Sequence, residues 1–285
     1  MNRLNPLNDF MFKKLFGDEN DNELLIGLLN AILNKKIVDL TIENEKLNRF
    51  KEEEKLGILD IKAKMADGEK INIEVQLLNQ KNMIPRTLFY WSKLFVEDFE
   101  SGRPYKELKK TVTINILGFK LEELRSESFH SIYKIGEAET KNNLTDLLEI
   151  HFIEFPKFEE VMYDLNNPLH CWLLFLKDDV PDYILREVLS MDVISKAEEK
   201  LTMLSADPET RKEYERRAKA LSDERSRLED ARESGIELGM EKGMEKGILS
   251  VIQGLLSKGM PLHEAAKLTP YTVEELSRMI NEIEK

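Results

Sequence analysis

Residues 57–78 alternate apolar and polar side chains on both sides of Asp67-Gly68. On the first arm Leu59, Ile61, Ala63 and Met65 share one parity, and Asp60, Lys62 and Lys64 the other. On the second arm Ile71, Ile73, Val75 and Leu77 share one parity, and Asn72, Glu74 and Gln76 the other. A period of two belongs to strands, and Asp-Gly between two such runs predicts an antiparallel hairpin. Opposed residues project to the same face, so burial fixes the register. A two-residue Asp67-Gly68 turn would set Asp60 against Val75 and mix the faces. A three-residue loop, Ala66-Asp67-Gly68 with Gly68 left-handed, pairs Ile61 with Ile73, Ala63 with Ile71 and Asp60 with Glu74. Two carboxylates are thus expected side by side, next to Gln76. Adjacent carboxylates repel unless something neutralises them. Mg²⁺, which takes one or two carboxylates together with waters and phosphate oxygens, is a natural partner. The same spacing also describes an ordinary half-exposed hairpin with its polar residues outward. An arginine standing between the acids as a permanent ion-pair partner would remove the metal reading.

Composition narrows the setting. Hydrophobic residues make up 41% of the 285, enough for a real core. The densest apolar run, Trp172-Leu173-Leu174-Phe175-Leu176, is far short of a membrane span, and Met1-Asn2-Arg3-Leu4-Asn5-Pro6 has no apolar signal region. The expectation is a cytoplasmic protein without membrane contact. The single cysteine, Cys171, excludes a disulfide framework and a cysteine-based metal site. Net charge is −12, unevenly spread: residues 1–120 carry 20 Lys/Arg and 19 Asp/Glu, residues 121–285 carry 22 and 35. An acidic chain repels the phosphate backbone, so nucleic acid, if the chain handles it at all, is expected at the near-neutral amino-terminal half; the plainer reading is that the acidity keeps the protein soluble.

Apolar spacings of three and four predict helices over Phe10–Phe16 and Leu24–Leu33, the second capped by Asp21 or Asn22. A short strand is expected at Ile37–Ile42 and a charged connection over 43–56. Beyond the hairpin come an amphipathic helix over 84–99, a loop at Ser101-Gly102-Arg103-Pro104, a strand over Lys110–Leu117 and another over Leu147–Phe155, closed by Pro156. Pro168–Lys177 and Pro181–Leu204 read as packed helices. Asp207-Pro208-Glu209 is a helix start, with a capping Asp, Pro at the first position and an acid near the positive helix end. It leads into a half-charged, solvated helix over Thr210–Glu233. Gly235, Gly239, Gly243 and Gly247 then recur every fourth residue, as an oligomerisation arm, a flexible connector or a repeat expansion with no selected role. Two short helices around Thr269-Pro270 end the chain. The expected organisation is an amino-terminal α/β domain at 1–157, a helical subdomain at 158–204, a long charged helix or connector at 205–255 and a small helical tail at 256–285.

An Asp, a turn and then Glu-x-Gln on the next strand resembles the PD-(D/E)XK nuclease superfamily. Asn8-Asp9-Phe10-Met11-Phe12-Lys13-Lys14-Leu15-Phe16-Gly17 followed by Leu28-Leu29-Asn30-Ala31-Ile32-Leu33 resembles its Rpn family, the recombination-promoting nucleases, also called PD-(D/E)XK nuclease family transposases. Ile73-Glu74-Val75-Gln76, Arg86 with Tyr90, Gly102-Arg103-Pro104-Tyr105 and Ile150–Phe158 match the same pattern, over about residues 5–180. The resemblance implies an α/β, restriction-endonuclease-like αβββαβ core with a helical C-terminal extension. It implies a Mg²⁺-dependent DNA endonuclease tied to recombination or transposition, with Asp60 and Glu74 as metal ligands and Gln76 positioning the attacking water. The wider superfamily has Lys where Gln76 stands; Gln donates a hydrogen bond but no charge. Lys62 or Arg86 could supply the missing charge. The alternative is a catalytically weak or inactive relative that binds DNA or a protein partner.

Further residues are auxiliary candidates. Asp9 and Lys13 share a helical face, as a surface pair or near the site. Arg86 and Tyr90 share another, for DNA-backbone contact or packing. His130, His151, His170 and His263 lack metal-ligand spacing, so no zinc site is expected. The C-terminal helices are a candidate for homo-oligomerisation.

Overall fold

The computed structural model describes residues 3–43, 61–79, 81–177 and 179–283. The chain divides into two compact units, Met1–Leu221 and Ser222–Lys285.

In the first unit the amino-terminal helices form where the sequence starts them. α1 (Asp9–Phe16) is capped by Asn8, whose side chain accepts from the Phe10 and Met11 amides; α2 (Glu23–Leu33) follows Asn22, which makes no capping hydrogen bond of the kind expected, its Nδ2 donating instead to the Leu40 carbonyl at 2.6 Å. Both are apolar on the face they bury, with Met11, Phe12, Leu15 and Phe16 from α1 and Leu24, Leu25, Leu28, Leu29 and Ile32 from α2. Gly27 lets α2 come close to its neighbours: a Cβ there would lie 2.8 Å from Val193 Cγ2 and 3.0 Å from Trp172 Cζ2.

The sheet has six strands, β1 (Leu40–Ile42), β2 (Ile61–Met65), β3 (Lys70–Gln76), β4 (Thr111–Leu117), β5 (His130–Gly136) and β6 (Asn143–Glu154). Their order is β1-β2-β3-β4-β6-β5. β3, β4 and β6 are parallel neighbours, and the remaining pairs are antiparallel. The β3–β4 connection passes through α3 (Met83–Val96), which covers one face with Met83 and Trp91 against Leu117, Leu148, Ile150 and Phe152. The other face carries Ile61, Ala63, Ile71, Ile73, Val75, Val112, Ile114 and Ile116. These residues share one core with α1, α2 and α5 (Pro168–Leu176), where Trp172 is 1% exposed. α4 (Phe155–Phe158), α6 (Asp182–Val188) and α7 (Asp192–Ala206) complete the layer. This is the α/β architecture expected, consistent with a PD-(D/E)XK nuclease-like fold.

The hairpin has the odd loop that the hydrophobic pattern demands. Ile61 pairs with Ile73 and Ala63 with Ile71; the Met65 amide donates to the Glu69 carbonyl, and Gly68 has φ +88°. Two features differ from the sequence reading. β5 falls where no strand was expected, and its register against β6 slips twice, around Ile135. The polar face of β3 is also not an outward face: Lys70, Asn72 and Glu74 are all buried beneath α3.

α8 (Pro208–Ser257) starts at the anticipated Asp207-Pro208 signal, with Asp207 Oδ2 accepting from the Thr210 amide at 2.7 Å. It runs without a break through the glycine repeat. In the second unit its last turns pack Leu249 and Ile252 against Ala265 and Ala266 of α9 (Leu262–Ala266) and its C-terminal neighbourhood, and against Leu276 of α10 (Val273–Ile283). No helix of the described residues is long and apolar enough to cross a membrane.

Candidate active site around Glu74

Glu74 lies on β3, opposite Asn115 in the parallel β3–β4 register. It belongs to the parity that faces α3, and at 2% exposure it is a carboxylate removed from water. A buried carboxylate requires a positive or hydrogen-bonding environment. Arg86, in the first turns of α3, supplies it: Arg86 Nη2 donates to Glu74 Oε1 at 2.6 Å. Gln76, two residues along the strand on the same face, donates from Nε2 to the same oxygen at 2.8 Å. Behind the ion pair, the Arg86 guanidinium lies 5.7 Å from the Tyr90 ring centroid, one helical turn further along α3. Arg86 Nε is buried with no hydrogen-bond partner.

Asn115 is a member of this site that the sequence reading missed. It is fully buried, accepts from Thr87 Oγ1 of α3 at 3.2 Å and donates to the His151 carbonyl at 3.1 Å. It thereby ties α3 to the sheet beside Glu74. The available signal was an amide in the middle of the apolar run Val112–Leu117, where an unpaired polar group would be costly.

The other candidates sit as follows. Asp60 lies outside the described residues; the described β2–β3 register ends one step before it, at Ile61 and Ile73. Asp9 pairs with Arg217 of α8, Nη1 to Oδ2 at 3.2 Å, and its other oxygen accepts from the Phe10 amide. Arg217, rather than Lys13, is therefore its ion-pair partner. Lys62 reaches Glu97, just past the end of α3, at 3.4 Å. Arg86 and Tyr90 are together, with Tyr90 41% exposed.

A second polar cluster lies on the opposite parity of β6. His130 Nε2 and His151 Nδ1 are 2.8 Å apart, and His151 Nε2 meets Glu149 Oε1 at 2.8 Å. Lys110 and Lys134 close on Glu149 Oε2 at 2.8 and 3.2 Å. The hydrogen bond from His151 and the two ammonium groups hold the Glu149 carboxyl well below the usual carboxylate range. Burial, then the neighbouring His151, pushes His130 down to about 4. Counting histidine spacings along the chain missed this cluster; strand parity at 149 and 151 was the readable sign.

The family model for the PD-(D/E)XK nuclease family transposases matches residues 6–231. The chain belongs to that family. No curated protein and no solved structure shows significant similarity to it. Membership makes a nuclease role the family's suggestion for this fold, and PD-(D/E)XK nucleases generally use divalent metal ions. Among the described residues no group of three or more His, Cys, Asp or Glu could hold such an ion. The donor chemistry at Glu74 suits a hard cation, with a carboxylate and the Gln76 amide side by side, but Arg86 already stands on Oε1. Asp60, the second expected ligand, lies outside the described residues.

Proposed function

We propose that the chain is a divalent-metal-dependent DNA endonuclease acting in recombination or transposition. The observation that carries the reading is the buried Glu74 carboxylate, with Gln76 and Arg86 on one of its oxygens, at the centre of a PD-(D/E)XK fold. Asp60 and Glu74 would hold Mg²⁺, which supplies Lewis acidity to the phosphate and to water when bound. The side chains have separate tasks. Gln76 orients the attacking water through its amide. Arg86, on leaving Glu74, meets the charge that develops on the phosphate, and Tyr90 supports its guanidinium. Supercoiled DNA with and without Mg²⁺ or EDTA tests the reading. Cleavage should require the metal and fall at least ~100-fold in both Asp60→Asn and Glu74→Gln. Full activity in both variants rejects the site.

The Arg86–Glu74 ion pair favours a second reading, a weak or inactive relative that binds DNA or a partner through the same fold. Metal-independent DNA binding without cleavage, unchanged by Glu74→Gln, would select it.

A further inference from the structure

α3 covers Glu74 and turns a cationic, aromatic surface outward. Met83–Val96 holds no Asp or Glu, in a protein with 54 of them, and carries Arg86 and Lys93, with the exposed Lys81 just before its start. Its inner side is Met83, Thr87 and Leu94, all buried. The outer side of a covering helix is ordinarily polar. Here Leu88 is 46% exposed and Phe89 54%, with Tyr90 beside them. The Phe89 and Tyr90 rings lie 5.6 Å apart, edge to face, and the Lys93 ammonium stands 4.5 Å from the Phe89 ring centroid. The acids just past the helix do not cancel its charge: Glu97 is paired with Lys62, and Asp98 with Lys64 and Lys70.

An exposed apolar patch edged by charge marks a place where something binds. Three properties say what. The sign of the charge calls for a polyanion. The rings call for flat groups: phosphates need cations only, whereas an aromatic side chain gains when a nucleobase lies on it, whichever base it is. In a duplex each base face is covered by its neighbours and the grooves present only edges, so the bases must be unpaired. The third property is position. Phe89 and Tyr90 lie three and four residues past Arg86, about 5 Å along the helix axis, and Arg86 donates to Glu74. A base on Phe89 therefore has its adjoining phosphate close to the Glu74 site, with Lys93 on a flexible stem that swings from the ring to the backbone.

We propose that the outer face of α3 is a stacking platform for unpaired DNA bases, with Phe89 under the base and Lys81 and Lys93 on the backbone; this rests on the nuclease reading and names its substrate as single-stranded or locally opened DNA. Fluorescence anisotropy of a labelled oligonucleotide tests it, with EDTA present so that binding is read without cleavage. The single strand should bind more tightly than its duplex and than an abasic strand of equal length. Phe89→Ala should weaken single-strand binding about 5- to 100-fold, with duplex and abasic binding and the urea midpoint unchanged. Phe89→Leu, which keeps an apolar side chain without a ring, should lose as much, and Phe89→Trp should bind as well as wild type. Lys93→Ala should lower the slope of log affinity against log salt by about 0.7, a slope that Phe89→Ala leaves alone. No binding of the single strand, equal binding of strand and duplex, an abasic strand held as tightly, or an affinity indifferent to Phe89→Ala or Phe89→Leu would each overturn the proposal. So would an oligomer that dissociates in Phe89→Ala, which gives the face to a second copy. Failure of the nuclease reading has a different signature: supercoiled DNA stays uncut with Mg²⁺ while the strand preference and its dependence on Phe89 persist.

Discussion

Glu74 and Arg86 form the buried pair at the centre of the proposed site, and their energetics are measurable apart from activity. Removing one partner of a buried pair strands the other, and the cost exceeds what the pair itself contributes. Arg86→Ala should therefore destabilise the fold by about 2–4 kcal/mol, a value set below the fully buried case because the Arg86 side chain is 20% exposed. The double change Arg86→Leu/Glu74→Leu should recover most of that loss, and urea denaturation of the three chains checks both statements. His130 makes a second residue-level prediction. With its folded pKa near 4 against an ordinary 6.5, the unfolded chain takes up a proton that the folded chain refuses. The stability from keeping His130 neutral is complete above about pH 6.5 and is lost as pH falls from there through 4. A urea midpoint that declines over this window in wild type and less steeply in His130→Gln is the expected outcome.

At the scale of elements, the hairpin was readable because one physical requirement, a single apolar parity on each arm, leaves one loop length. Gly68 carries that solution, since only glycine adopts φ +88° freely, and Gly68→Ala should cost about 1 kcal/mol, measured by thermal or urea unfolding. Glu74 and Gln76 were placed on one face by the same argument. The burial of that face was not legible: α3 crosses over it, and a crossover depends on contacts between segments distant in sequence. β5 was illegible for a related reason. His130–Gly136 is a mostly exposed strand whose pairing with β6 is irregular, so it lacks the clean alternation that marks the hairpin arms. Asn115 and the His130–His151–Glu149 cluster are products of strand register, not of spacing along the chain. Asp9 illustrates a different failure. Its neighbour at four residues was the obvious partner, yet Arg217, from a helix some two hundred positions later, takes it.

Taken whole, the molecule couples a helix-covered sheet to a C-terminal helical unit through α8, and the exposed part of that helix should govern its protease sensitivity. Arg232, Lys242 and Lys246 offer trypsin sites within or beside the bare turns. These sites, which lie in the second unit, should be cut before those of the first, leaving a resistant amino-terminal fragment, and mass spectrometry of timed digests checks the order. The charge imbalance adds an expectation about order: the acidic carboxyl-terminal half keeps nucleic acid away from itself, so any DNA contact belongs to the amino-terminal half.

The sheet's outer margin has its own consequence. β5 slips in register around Ile135 and presents Lys134 near that irregularity, so it offers an incoming strand neither a continuous ladder of amides nor a flat apolar border. Ile132 and Tyr133 can remain partly solvated there without inviting fibrillar stacking of one sheet onto the next.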